Sequence, residues 1–168
     1  MGLVEGEMEM GQRGFSAIGL VRPKHVDNVG HIMRAAYVYD VAMVAIQGDR
    51  TPVTSYIDTP KAYRHLPVVR GDDLRSMIPY DAVPVAVDLV EGAVELPAYQ
   101  HPVRAFYVFG PEDGTLGGDV LNWCRDRVLV PTRGCMNLAA TVNVVLYDRM
   151  AKAHRMARGI RNRTVEAA

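Results

Sequence analysis

Cysteine is almost missing from this chain: two in 168 residues, Cys124 and Cys135. Two isolated thiols build neither a disulfide framework nor a cysteine-rich metal site, so a reducing, cytoplasmic setting is the expectation. The five histidines (His25, His31, His65, His101, His154) lack the HExxH spacing of a helical zinc site, and no metal is expected. Net charge is missing too, with 19 basic residues against 19 acidic ones. A neutral chain does not draw nucleic acid by its bulk field, so any such binding has to use a local patch. No apolar run approaches the ~20 residues of a membrane span, and no membrane partner is expected. The start, "MGLVEGEMEMGQRG", carries acidic residues where a signal peptide has its apolar centre. Neither GxGxxG nor GxxxxGK[ST] follows a strand-like run, which excludes the two commonest phosphate-cradling loops.

What the chain does have is pattern. Hydrophobic residues at 49% and charged ones at 23% are a globular balance in a length suited to one domain. Residues 1–14 read as a flexible leader, 15–158 as the domain and 159–168 as a tail. "FSAIGLVRP" (15–23) reads as a buried strand stopped by Pro23. Residues 27–40 place Val29, Ile32, Met33, Ala36 and Tyr37 on one helical stripe, with Asp27 or Asn28 available as the N-cap. Further strands are expected at 41–47, 83–90, 103–110 and 127–131, and helices at 60–65, 72–78, 117–126 and 137–158. Residues 48–59 and 91–102 read as loop and turn. Strands alternating with helices predict an α/β fold, an open and mostly parallel sheet with helices on both faces.

The last helix is apolar or small almost all round from Leu138 to Tyr147, broken only by Thr141 and Asn143. Such a surface is covered on more than one side. One side meets the sheet; the other predicts a homodimer, with a core helix in a monomer as the plain alternative.

In open α/β sheets ligands bind beyond the carboxyl ends of strands. Three loops of that kind carry polar groups: "RPKHVDNVGHIMR", "GPEDGTLGG" and "PTRGCMN". Taken singly, each has a plainer reading. Gly110 and Gly114 suit a turn, Asn28 and Asn137 suit helix caps, Glu112 suits a solvated loop, and Arg34 suits an exposed helix face. Together, "NVGHIMRAA", "FGPEDGTL" and "CMNLAATVNVVLYD" resemble, in order and spacing, the three motifs of the SpoU/TrmH branch of the SPOUT RNA methyltransferases, over about Phe15 to Lys152. That resemblance implies a deep trefoil knot in the C-terminal part of the domain, S-adenosylmethionine held in the knot, a homodimer, and methyl transfer to a ribose 2′-oxygen of tRNA or rRNA. General topology rules would have rejected a knot.

Residue by residue, the resemblance puts Asn28 and Arg34 in the first motif, Gly110 and Glu112 in the second, and Asn137 in the third. It implies Arg34, Asn28, Glu112 and Asn137 on the catalytic side. It also implies cofactor contacts from Asp88, Leu89, Gly110, Glu112, Val130, Cys135, Met136 and Leu138. The chain departs from the family at Cys135, where serine is common, and a thiol is a weak hydrogen-bond donor. No accessory RNA-binding domain like that of longer members is expected, and the chain looks like the minimal ones, some of which modify the wobble position of tRNA.

Methyl transfer from a sulfonium is an in-line displacement that needs alignment and a more nucleophilic oxygen, not a metal. Arg34 is the cation of the matched motifs. A guanidinium stays protonated, so it serves as a clamp on phosphate and incipient alkoxide rather than as the base. Solvent or a phosphate oxygen then takes the proton, with Glu112 expected to hold Arg34. Gly110 is expected to let the cofactor approach the backbone. The basic run after Tyr147 (Arg149, Lys152, Arg155, Arg158, Arg161, Arg163) reads either as a solvated helix end or as a phosphate-binding patch. Two rival functions remain: a SPOUT-like protein that binds RNA without catalysis, motivated by Cys135 and the neutral charge, and an α/β domain for another nucleotide.

Overall fold

A computed structural model describes residues 14–51 and 62–166, with side chains as far as Arg158 except that of Tyr63. The expected leader, apart from Gly14, and most of the 48–59 loop lie outside the described residues. Seven strands, β1 (Phe15–Val21), β2 (Met43–Gln47), β3 (Val68–Gly71), β4 (Val83–Val87), β5 (Val94–Glu95), β6 (Arg104–Phe109) and β7 (Asp126–Leu129), form one sheet in the order β3-β2-β1-β6-β4-β7-β5. Every pairing is parallel. The helices are α1 (Val26–Val38), α2 (Gly117–Leu121) and α3 (Leu138–Glu166), with 3-10 turns at Ala62–Arg64, Leu74–Met77 and Leu96–Ala98.

A parallel sheet covered on both faces needs strands that are apolar along nearly their whole length, as β1 is apart from Ser16 and β6 is after Arg104. Ile18, Leu20, Tyr107 and Phe109 face a core closed by α1 and α3. Their neighbours Ala17, Phe106 and Val108 face a second core closed by Leu74 and by Leu116 at the start of α2. Gly19 belongs to that second face because a Cβ there would sit 2.6 Å from the Phe106 ring. Helices therefore cover both faces, as the alternation predicted.

Several boundaries differ from the sequence pattern. β3 and β5 went unpredicted because both are edge strands, one of four residues and one of two, which carry little pattern of their own. Of the stretch expected as a helix at 60–65, the described part from 62 on holds a single 3-10 turn, and the stretch at 72–78 likewise holds one; residues 60 and 61 lie outside the described residues. Helix α3 continues to Glu166, past the expected bound at 158. Four of the five stripe residues of α1 are buried, but Tyr37 is half exposed at the stripe's edge, tilted against His65. Neither Asp27 nor Asn28 caps α1. The helix starts at Val26 with His25 in the cap position and no side-chain cap of its own.

At the amino ends of the strands, α3 is tied down by charge. Arg149 donates to the carbonyls of Pro102, Phe15 and Val103 and to the Tyr107 hydroxyl. Lys152 donates to the carbonyls of Leu96 and Tyr99 and pairs with Asp148 at 2.5 Å. Two members of the expected basic patch are thus committed to the interior. Arg155 and Arg158 remain exposed, and the side chains of Arg161 and Arg163 lie outside the description.

Buried His101 completes this cluster. Its Nδ1 lies 2.6 Å from the Tyr107 hydroxyl and its Nε2 lies 2.9 Å from Asp148. Burial lowers its pKa from 6.5, with Lys152 and Arg149 adding to that and Asp148 opposing it. The imidazole is therefore neutral, with Nε2–H donating to the carboxylate. Protonation would put a second N–H against a hydroxyl that already accepts from Arg149.

A histidine held neutral in the fold stabilises above its unfolded pKa, and that contribution is lost as pH falls through and below about 6.5. Thermal denaturation of the wild type should therefore show a falling midpoint from pH 6.5 towards 5. His101→Gln should start about 1–3 kcal/mol less stable and lose less over that interval. Parallel curves for the two proteins would refute the assignment.

Candidate active site

The sheet reverses direction of growth between β1 and β6. From β1 the chain proceeds outward to β2 and β3, and from β6 it passes through α2 to β7 on the other side. The carboxyl ends of two strands that part in this way leave a crevice. Glu112, three residues beyond β6, reaches across it. Its Oε2 accepts from the backbone N–H of Lys24 at 2.7 Å, and its Oε1 from that of His25 at 3.1 Å and from Asn28 Nδ2 at 2.8 Å. Glu112 thus caps, from a distant loop, the segment that enters α1, where a carboxylate also complements the helix dipole. Burial alone would raise its pKa, but the donors at Asn28, Lys24 and His25 outweigh burial and hold the carboxyl below its usual range.

Asn28 extends the connection. Its Oδ1 accepts from Asn137 Nδ2 at 2.9 Å, and Asn137 Oδ1 accepts from the N–H of Ala140 at 3.2 Å, capping α3. A carboxylate that can only accept stands at one end and a helix N–H that can only donate at the other. The orientation of both amides follows from those ends. Asp88, at the end of β4, makes a second tie by accepting from the N–H of Leu89 at 2.7 Å and of Leu116 at 2.8 Å.

These ties surround a cleft of about 460 Å³. All the residues expected at the cofactor line it: Asp88 and Leu89 after β4, Gly110 and Glu112 after β6, and Val130, Cys135, Met136 and Leu138 between β7 and α3. Asn28 and Asn137 line it as well. The sequence reading missed His25, Thr132 and Thr141, which join them. Each lies within a few residues of a residue it named, so loop position was the available signal.

One expectation is overturned. Arg34 does not meet Glu112, whose partners are Lys24, His25 and Asn28. Arg34 lies six residues beyond Asn28, about 9 Å along the helix and some 120° round it, so its exposed side chain opens elsewhere. It lines a neighbouring groove of about 450 Å³ with His31, Tyr39 and Asn143, which meets the cleft at Asn137. Gly110 has a structural reason of its own to be a glycine: a Cβ there would lie 3.3 Å from the backbone nitrogen of Leu116, where the loop returns over the strand end. The turn itself is as expected, with Gly114 N–H donating to the carbonyl of Pro111 at 3.4 Å.

Comparison with known proteins agrees with this arrangement. No curated protein matches in sequence. Among solved structures, the SpoU methyltransferase AviRb from Streptomyces viridochromogenes is 19% identical, with a TM-score of 0.71, over 87% of this chain and 63% of its own. A TrmH/SpoU tRNA modifying enzyme from A. aeolicus is 14% identical, with a TM-score of 0.76, over 89% of this chain and 80% of its own. A protein solved in connection with 2-OH methylation on tRNA is 20% identical, with a TM-score of 0.71, over 88% of this chain and 99% of its own. The chain spans less than two thirds of AviRb and 59% of an rRNA methyltransferase from Sinorhizobium meliloti. These likenesses establish the fold. The SpoU rRNA Methylase family model aligns with residues 16–147, the span that contains all three loops of the cleft, and the chain belongs to that family.

Proposed function

We propose that the protein is an S-adenosylmethionine-dependent RNA methyltransferase that modifies a ribose 2′-oxygen, in tRNA or rRNA, with tRNA favoured. The observation that carries this reading is the cleft itself: three loops that share the family's motifs converge on it and are locked together through Glu112, Asn28 and Asn137. Its volume falls within the range of cofactor sites. Apolar walls from Val87, Phe109 and Leu138 suit a flat base, and the carboxylates Asp88 and Glu112 in the same lining suit the positive charge of a sulfonium. The residues present therefore fit the cofactor, which supplies an electrophilic methyl on a sulfonium.

The chain's own part is alignment. Asp88 and Glu112 hold the loops that Leu89, Gly110, Met136 and Leu138 would present to the cofactor. Glu112, Asn28 and Asn137 spend their polar atoms on one another and on the backbone N–H groups of Lys24, His25 and Ala140, which makes them positioning residues. Arg34 is exposed and has no hydrogen bond or ion pair among the described residues, so its guanidinium is free to meet a phosphate or a developing alkoxide at the groove. The acceptor proton passes to solvent or a phosphate oxygen. A non-catalytic RNA-binding role is the second reading, favoured by the distance between Arg34 and Glu112's partners.

The homodimer belongs to the same proposal. Apolar α3 buries Leu138, Val142, Val145 and Leu146 but leaves Val144 and Tyr147 exposed, the latter by 58%, with Val38 of α1 exposed by 64%. Light scattering should give a dimer at micromolar concentration, and Tyr147→Glu with Val144→Glu should shift it towards monomer. A monomeric wild type contradicts the assembly.

Calorimetry should show that S-adenosylhomocysteine binds, which a pure RNA-binding module need not do. Arg34→Ala should lower single-turnover methyl transfer by about 10²-fold while leaving that affinity unchanged, and Arg34→Lys should restore only part because lysine lacks the planar fork. Turnover near wild type in Arg34→Ala would sink the catalytic assignment. Glu112→Gln should behave differently. Its NH₂ would face one of three donors, lowering stability by about 1–3 kcal/mol and weakening the analogue.

A further inference from the structure

Asp113 follows the residue that locks the loops, and it gathers two cations on one oxygen. Lys24 Nζ lies 3.2 Å from its Oδ2 and Arg50 Nη2 lies 3.5 Å from the same atom. The cations come from different places, Lys24 from the loop after β1 and Arg50 from the loop after β2. Lys24 is anchored at its backbone and Arg50 at its guanidinium. The backbone N–H of Lys24 is held by Glu112, and Arg50 Nη1 donates to the carbonyl of Arg22 at 3.4 Å. Arg22 itself adopts a left-handed backbone, φ 43°, unusual for a residue with a side chain. The cluster thus has a fixed frame around a replaceable centre.

The centre is replaceable because the side chains of all three partners are about two-fifths exposed. Ion pairs at such positions are screened by water and contribute little stability. The Lys24 ammonium, followed by Arg50, keeps the Asp113 carboxyl below its usual range, so it remains charged at neutral pH. The cluster sits at the carboxyl ends of β1 and β2, beside the cleft and separated from it by Glu112.

We propose that Lys24 and Arg50 form a seat for one RNA backbone phosphate beside the cleft, and that Asp113 fills this seat in the free protein. The inference rests on the RNA-methyltransferase reading above. A phosphodiester carries the same single charge as the carboxylate but offers two separated oxygens. Lysine and arginine can then each hold their own, where now they share one. The phosphate and Asp113 repel each other, so entry of RNA requires the carboxylate to leave. Asp113 therefore acts as an internal competitor, and the seat positions the backbone without reading its sequence. Overall neutrality hides this pair of cations: they are 26 positions apart in the chain.

The test is binding of unfractionated tRNA to the full-length protein by fluorescence anisotropy across a potassium chloride series, with S-adenosylhomocysteine binding followed in parallel. Asp113→Asn should bind tRNA several-fold more tightly than wild type. The double variant Lys24→Gln, Arg50→Gln should bind more weakly, with a salt slope shallower by about 1–2. All should bind S-adenosylhomocysteine like wild type. Asp113→Ser serves as the second variant should the asparagine protein not fold. Unchanged or weaker tRNA binding by the Asp113 variants, or a wild-type salt slope in the double variant, overturns the seat and leaves the methyltransferase reading intact. A wild type that binds neither tRNA nor S-adenosylhomocysteine overturns both. Inorganic phosphate forms the last arm: a gain in its affinity in Asp113→Asn without any gain for tRNA would mean a free-anion site and would also overturn the proposal.

Discussion

The carboxylate of Glu112 holds together what the sheet would otherwise leave apart. A strand that feeds one side of a parallel sheet and a strand that feeds the other part company at their carboxyl ends, and β1 and β6 do so here. By accepting from Lys24, His25 and Asn28, Glu112 joins the two departing loops. Through Asn28 and Asn137 it also joins the loop that opens α3. Hydrogen bonds to a charged acceptor are worth about 1.5–3 kcal/mol each when sheltered, less at a half-open position such as this. Their larger effect is geometric, because the walls of the cleft are backbone segments whose separation this one side chain sets.

The opposite end of the sheet solves a different problem. Helix α3 is long, and only its first half is apolar enough to be held by burial. Beyond Tyr147 its inward positions are Asp148, Arg149 and Lys152; the two cations satisfy carbonyls at the starts of β1 and β6 and around Leu96–Ala98, and Asp148 accepts from Lys152 and His101. A buried charge left without partners is costly, so each constrains the helix axis as well as neutralising the other. With Asn137 capping its first turn and Arg149 tying its middle, α3 is fixed at both the site and the base of the sheet.

Arg34 and Glu112 illustrate how a division of labour follows from helix geometry. Both lie in matched motifs, and a cation and a carboxylate in one site suggest a pair. Asn28 and Arg34 are six residues apart on α1, which turns their side chains in different directions. Glu112 therefore serves the loops, while Arg34 faces the groove between α1 and α3. Among the described residues, Arg34 has neither Glu112 nor another carboxylate as a partner and lies exposed at that groove. The cations near Asp113 are the ones already occupied.

Much of the architecture was legible in the chain. The nearly continuous apolar runs at 17–21 and 105–109 read as strands buried on both faces, and the stripe from Val29 to Ala36 reads as a helix packed on them. The three loops at strand ends were legible for the same reason, since period and punctuation locate a strand's end without any knowledge of its neighbours. The edge strands β3 and β5 were not, because an edge places few demands on its residues. Nor could the partners of polar side chains be read. Glu112 and Asn28 are 84 positions apart, Asn137 and Asn28 are 109, and Arg149 and Phe15 are 134. The sequence by itself determined the central strands, the helices α1 and α3, and which polar residues stand in the loops at the strand ends. Only the tertiary structure decided that Glu112 would serve two backbone amides and Asn28 rather than Arg34, because a hydrogen bond depends on ångströms and angles that strand order sets and local pattern does not carry.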